Sequence, residues 1–157
     1  MPNGQQAGVS RILIADDDAA ILQTVSWVLE EHGYEVATAT GGLSVLEQLE
    51  LRTPDLVLLD VLMPDADGYQ VLERIKSDAR WRDVRVMMIS AVPPEEGTVR
   101  TLGLGASDFI RKPFRVKELL ARIQLQLRLR AQICATRDVL RATEDRKSTR
   151  LNSSHSS

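Results

Sequence analysis

Four short apolar runs in this chain each end on a reactive polar residue, and that regularity restricts the fold. Arg11 to Ala15 runs into Asp16, Asp17 and Asp18, and Asp55 to Leu59 runs into Asp60. Val84 to Ile89 runs into Ser90, and Ser107 to Arg111 runs into Lys112-Pro113. Between these runs lie stretches whose apolar residues recur at helical spacing. Strand and helix therefore alternate, which predicts an α/β fold with a parallel sheet covered by helices on both faces. In open sheets of this kind the carboxyl ends of the strands form the ligand crevice. The polar residues are thereby expected at one edge.

Residues 1–10 are a polar, Gly-containing lead read as flexible, and residues 11–127 are read as the folded domain. Asp18 is placed to cap a helix carrying Ile21, Leu22, Val25, Val28 and Leu29, which Gly33 stops. Residues 34–39 read as a second strand, and Gly41-Gly42 leads into a helix with Leu43, Val45, Leu46, Leu49 and Leu51. Leu56 to Leu59 is apolar throughout, as a central strand buried on both faces requires. A loop from Met63 to Gly68 opens a third helix with Tyr69, Val71, Leu72 and Ile75 inward. Pro93-Pro94 followed by Gly97 predicts a short or mobile fourth helix. Val116, Leu119, Leu120 and Ile123 mark the inward face of a fifth. Trp27, Tyr34 and Trp81 are read as packing residues.

A length of 157 residues with 43% hydrophobic content suits one domain and an appendage. The net charge of −2 provides no overall field to draw nucleic acid or an anionic membrane. A single cysteine, Cys134, excludes an internal disulfide. No apolar run approaches the roughly 20 residues of a spanning helix, and the first residues lack a signal-peptide pattern. The expectation is a cytoplasmic protein without a membrane partner.

From Leu125 to Thr143 there is no Gly or Pro, and Leu129, Ile133, Thr136, Leu140 and Thr143 step by four and three residues. This is coiled-coil seam spacing, so residues 128–147 are read as a helical extension with a seam for a homodimer, the alternative being a frayed helix that lies on its own domain. Arg128, Arg130, Arg137 and Arg141 surround the seam and are read as solvated. Acidic Asp138, Glu144 and Asp145 among them, with no interleaved aromatics, argue against direct nucleic-acid binding. Residues 148–157 are Ser-rich and without periodicity. They are read as disordered, in the manner of a cloning-vector read-through tail.

The chemistry follows from the residue types. Two carboxylates about 4 Å apart repel by about 4 kcal/mol at an effective dielectric of 20, so Asp16, Asp17 and Asp60 together call for a cation. Mg²⁺, or Mn²⁺ as the alternative, matches an all-oxygen set. Asp17 is read as a direct ligand and Asp16 as one acting through water. The turn at Pro64 is read as aiming the Leu62 carbonyl at the same ion. Lys112 supplies a point charge for a phosphoryl oxygen and Ser90 a hydrogen bond for another. With that charge neutralised, Asp60 is the candidate nucleophile toward phosphorus.

The segments IADDD, LLDVLMPDADG, MMISA and ASDFIRKPF, in that order and each at a strand end, resemble the receiver domain of two-component response regulators. The resemblance covers residues from about Arg11 to Arg130. It implies a doubly wound five-stranded sheet of flavodoxin-like order 2-1-3-4-5, a histidine kinase or phosphotransfer protein as phosphoryl donor, and Mg²⁺ as cofactor. It also implies Asp60 as phosphoacceptor, Asp16 and Asp17 as the acidic pair, Lys112 as the site lysine, Ser90 as the switch hydroxyl and Phe109 as the switch aromatic. Phe109 stands where the family often has Tyr. On this reading the chain is a phospho-switch and not a turnover enzyme. Two rivals remain open: a small Mg²⁺-dependent phosphohydrolase with an aspartyl nucleophile, and an unphosphorylated interaction module. Against the first, Leu62 occupies the position two residues after Asp60 where a general acid is wanted.

Overall fold

The computed structural model describes residues 8–91 and 103–155. Five strands form one parallel sheet: β1 (Arg11–Ala15), β2 (Glu35–Ala39), β3 (Leu56–Asp60), β6 (Arg85–Ser90) and β7 (Asp108–Arg111). Their order in space is β2-β1-β3-β6-β7. This is the predicted doubly wound order, with the five sheet strands taken in sequence. Two more strands, β4 (Leu62–Met63) and β5 (Ala66–Asp67), pair antiparallel as a small hairpin in the segment read as a loop. The helices are α1 (Ala19–Glu31), α2 (Gly42–Leu51), α3 (Gly68–Ser77) and α4 (Val116–His155). The predicted fourth helix, with Pro93, Pro94 and Gly97, lies outside the described residues.

β3 is buried along its whole length because β1 and β6 flank it and helices cover both its faces. The alternation of its side chains divides the core in two. Val57 and Leu59 join Leu13, Val86 and Met88 under α2 and α3, where Val45, Leu49, Leu72 and Ile75 close the layer. Leu56 and Leu58 join Ile12, Ile14, Met87 and Ile89 on the opposite face, beneath Leu22, Val25 and Leu29 of α1 and Leu119 and Ile123 of α4. Asp18 caps α1, accepting from the Ala20 and Ile21 amides at 2.9 and 3.4 Å. Gly33 ends that helix with φ +87°, a left-handed conformation that costs glycine little. Trp81 is buried as expected. Trp27 instead has 64% of its surface exposed, because it sits midway between Val25 and Leu29 and so points away from the face they bury.

The last helix departs from expectation at its far end and along one side. It continues to His155, past residue 147 and into the segment read as disordered, since no Gly or Pro interrupts its 40 residues. Arg130 and Arg137, read as solvated, reach the body of the domain. Arg130 pairs with Asp55 at 3.0 Å and donates to the Asp83 carbonyl, and Arg137 pairs with the Asp83 carboxylate. Ile133, Thr136 and Leu140 of the seam stay exposed and Leu129 is half-buried. Among the described residues no helix is long and apolar enough to cross a membrane.

Gly68, at the start of α3, lies so close beneath the end of β3 that a Cβ there would stand 2.3 Å from the Asp60 carbonyl oxygen and 2.8 Å from Val61 Cα. Backbone atoms cannot swing aside as a side chain can. Gly68→Ala is expected to destabilise the fold by about 1–3 kcal/mol. The measurement is urea unfolding, with a lower midpoint at an unchanged slope.

Candidate functional site

The sheet order creates the site. β2 and β3 lie on opposite sides of β1, so the chain leaves β1 toward one side and β3 returns on the other, opening a crevice at their carboxyl ends. Asp16 directly follows β1 and Asp60 ends β3. The register that pairs Ala15 with Leu59 sets the two side by side. Ser90 ends the neighbouring β6, and its carbonyl accepts from the Lys112 amide at 2.7 Å. Every sequence-derived candidate at these strand ends falls in this region except Phe109, which pairs with Met88, two register positions back from Ser90 and Arg111. Phe109 is half-buried and packed against the core layer beneath α2 and α3.

Lys112 joins the acids. Its Nζ stands 2.9 Å from Asp16 Oδ2 and 3.2 Å from Asp60 Oδ2. Asp16 and Asp60 are 1% and 4% exposed, whereas Asp17 is exposed. Carboxylate oxygens of Asp16, Asp17 and Asp60 all lie within 4.8 Å of one another. Asp16 Oδ1 accepts the Asp18 amide at 2.9 Å, and Asp60 Oδ1 accepts the Leu62 amide at 3.3 Å. Asp16 Oδ2 is buried, and the Lys112 ammonium is its close partner. Two buried carboxylates and an exposed third, with a single ammonium among them, fit a hard divalent ion that takes oxygen ligands. One ammonium facing three carboxylates leaves the cluster negative.

Burial first, and the charge of Asp16 second, push the Asp60 carboxyl up to about 6, against the opposing pull of Lys112 and the Leu62 amide. For Lys112 burial disfavours the charge, but contact with Asp16 and the charge of Asp60 prevail and raise its pKa. An acid poised this way accepts a cation or a phosphoryl group with a gain that an exposed aspartate would not have.

Sequence reasoning did not find the support of the β4–β5 hairpin. Asp65 accepts the Gly42 and Leu43 amides at 2.8 and 3.1 Å, capping α2 from 23 and 22 residues away. No local pattern signals a cap supplied from so far along the chain. Asp67 supplies the cap of α3 itself, accepting the Tyr69 amide at 2.8 Å. The hairpin that carries Leu62 is thus fixed to two helices.

Residues 12–124 match the family model of the response regulator receiver domain. The chain belongs to that family. The receiver is 42% identical over 118 residues to the phosphate regulon transcriptional regulatory protein PhoB of Escherichia coli (strain K12), a match covering 75% of this chain and 52% of that protein. It is 40% identical over the same length to the DNA-binding dual master transcriptional regulator RpaA of a Synechocystis strain, covering 49% of it. The chain therefore spans about half the length of these curated relatives. Among solved structures, a CheY-like receiver domain protein from Methanospirillum hungatei JF-1 superposes with a TM-score of 0.75 at 32% identity, covering 80% of this chain and 98% of that one. NtrX from Brucella abortus superposes with a TM-score of 0.77 at 31% identity, covering 83% of this chain and 30% of that one.

The raised pKa of Asp60 makes receiver stability depend on pH. An unfolded aspartate releases its proton near 3.9, whereas folded Asp60 holds it to about 6. Its contribution to stability is thus fully present below about pH 4 and lost as pH rises through about 6, by at most about 3 kcal/mol. Asp60→Asn is expected to resist urea better than the parent at pH 8 in EDTA, with the difference vanishing at pH 4. Equal midpoints at pH 8 would show that the Asp60 charge carries no such cost.

Proposed function

We propose that this receiver is the phosphoacceptor of a two-component system, taking a phosphoryl group onto Asp60 from a histidine kinase or phosphotransfer protein. The observation that carries the reading is the buried Asp60 carboxylate held beside Asp16 and Lys112 at the sheet's switch crevice. An Asp60 oxygen attacks phosphorus while the bond from phosphorus to the donor's imidazole nitrogen breaks and its electron pair leaves with the imidazole. Lys112, already 3.2 Å from Asp60, pairs with one phosphoryl oxygen, and the Ser90 hydroxyl donates to another. Mg²⁺, or Mn²⁺, would be held by Asp16, Asp17, Asp60 and the Leu62 carbonyl, and supplies the charge neutralisation that lets an anionic carboxylate approach phosphate. Ser90 drawn toward the phosphoryl group and Phe109 following it inward transmit the change across β6 and β7.

The output leaves through α4. Its relatives are named as transcriptional regulators, and we read this receiver likewise as a switch for an output domain or partner, not a turnover enzyme. Ile133 and Leu140 are 45% and 60% exposed on α4. Two such stripes laid in parallel cover each other, so the extension serves as a weak homodimer contact that phosphorylation strengthens.

Acetyl phosphate or beryllofluoride is expected to modify the chain only when Mg²⁺ is present, and Asp60→Asn to abolish incorporation by mass spectrometry. Undiminished label in that variant overturns the assignment. Analytical ultracentrifugation checks the helix: Ile133→Asp with Leu140→Asp is expected to give monomer where the parent, with beryllofluoride, dimerises. A parent that stays monomeric at high concentration in both states leaves α4 a tether.

A further inference from the structure

At the end of the sheet opposite Asp60, a cleft of about 230 Å³ lies between the body of the domain and the side of α4. Its wall carries Lys76, Arg82, Arg85, Arg130 and Arg137, against one carboxylate, Asp83. β6 begins at Arg85 and ends at Ser90, so this cleft and the acidic crevice stand about 17 Å apart along one strand. The cations divide into two sets. Arg130 and Arg137 spend charge on Asp55 and Asp83. Lys76, Arg82 and Arg85 pair with no carboxylate among the described residues: Lys76 donates to the Val84 carbonyl at 2.8 Å, and Arg85 gives Nε and Nη2 to the neutral Gln126 Oε1 at 3.1 and 2.7 Å. Burial and then the charge of Arg85 push Lys76 below the ordinary lysine range.

Like charges converging on one hollow, all but Arg82 half-buried, cost free energy that an anion would recover, and planar guanidinium groups match phosphate oxygens in pairs. We propose that this cleft binds a small free phosphate anion of the inorganic di-phosphate class. The volume falls below the roughly 300 Å³ at which pockets begin to enclose drug-sized ligands, which favours a bare anion over a nucleotide. Because Lys76, Arg82 and Arg85 belong to the body and Arg130 and Arg137 to α4, the anion bridges the two and ties down the output helix. This role goes beyond phosphoryl acceptance and does not use Asp60.

The probe is inorganic pyrophosphate, titrated calorimetrically into the full chain in EDTA, where the uncompensated acids at the other crevice repel it. One-to-one binding is expected. Arg82→Gln and Lys76→Gln should each weaken it about tenfold, the scale of one lost charge-assisted contact, while Arg122→Gln, outside the cleft, should leave it unchanged. Arg82 is exposed, so its variant tests the cleft without disturbing the core. Hydrogen exchange across residues 128–140 should slow on binding. No binding by the parent, parent-like affinity in both cleft variants, or binding without added protection overturns the proposal. So does a DNA duplex that binds through the same residues when pyrophosphate does not.

Discussion

The arrangement of this receiver turns on one ammonium held between two buried carboxylates. Lys112 touches both Asp16 and Asp60, and without it two nearly inaccessible acids would face each other with no compensating charge among the described residues. Burial makes that charge expensive and also makes the site responsive. In water the same three groups would be screened, and a neighbour's protonation would hardly matter. Here the carboxyl of Asp60 is lifted by its surroundings, and any cation or transferred group alters the balance of the whole cluster.

The scaffold that maintains this cluster is the central strand. β3 can end in a buried aspartate because four apolar residues before it are sealed on both faces. Gly68 then lets α3 start in contact with the backbone of Asp60 and Val61, and Asp65 fastens the intervening hairpin to α2. Rigid support of this kind matters because a site of like charges does not hold its own geometry: repulsion would open it.

The two ends of the sheet carry opposite charge. Acids collect at the carboxyl ends of the strands, and cations collect where Arg85 opens β6 and α4 passes alongside. Arg130 and Arg137 make α4 part of the domain for two turns beyond its apolar contacts before the helix runs free. β6 and β7, which end in Ser90 and lead to Lys112, run from the acidic crevice to the end of the sheet that α4 passes.

Much of this was legible from the residues in order. Apolar runs ending on Asp16, Asp60, Ser90 and Lys112 are a local pattern, and strand and helix periods are local as well, so fold class, sheet order through the family resemblance, the α1 cap at Asp18 and the site candidates could all be read. What sequence could not supply was any contact whose partners lie far apart without a periodic signal. The Asp65 cap on α2, the burial of Gln126 against Arg85, and the pairing of Arg130 and Arg137 with Asp55 and Asp83 depend on which loops the finished sheet brings beside which helix. Trp27 misled because a large aromatic suggests a core, while its angle around α1 turns it outward. Side-chain chemistry and spacing determined which residues stand as candidates for the site. Closure of the sheet decided which charges meet, because only the packed state brings distant residues within reach and removes the water between them.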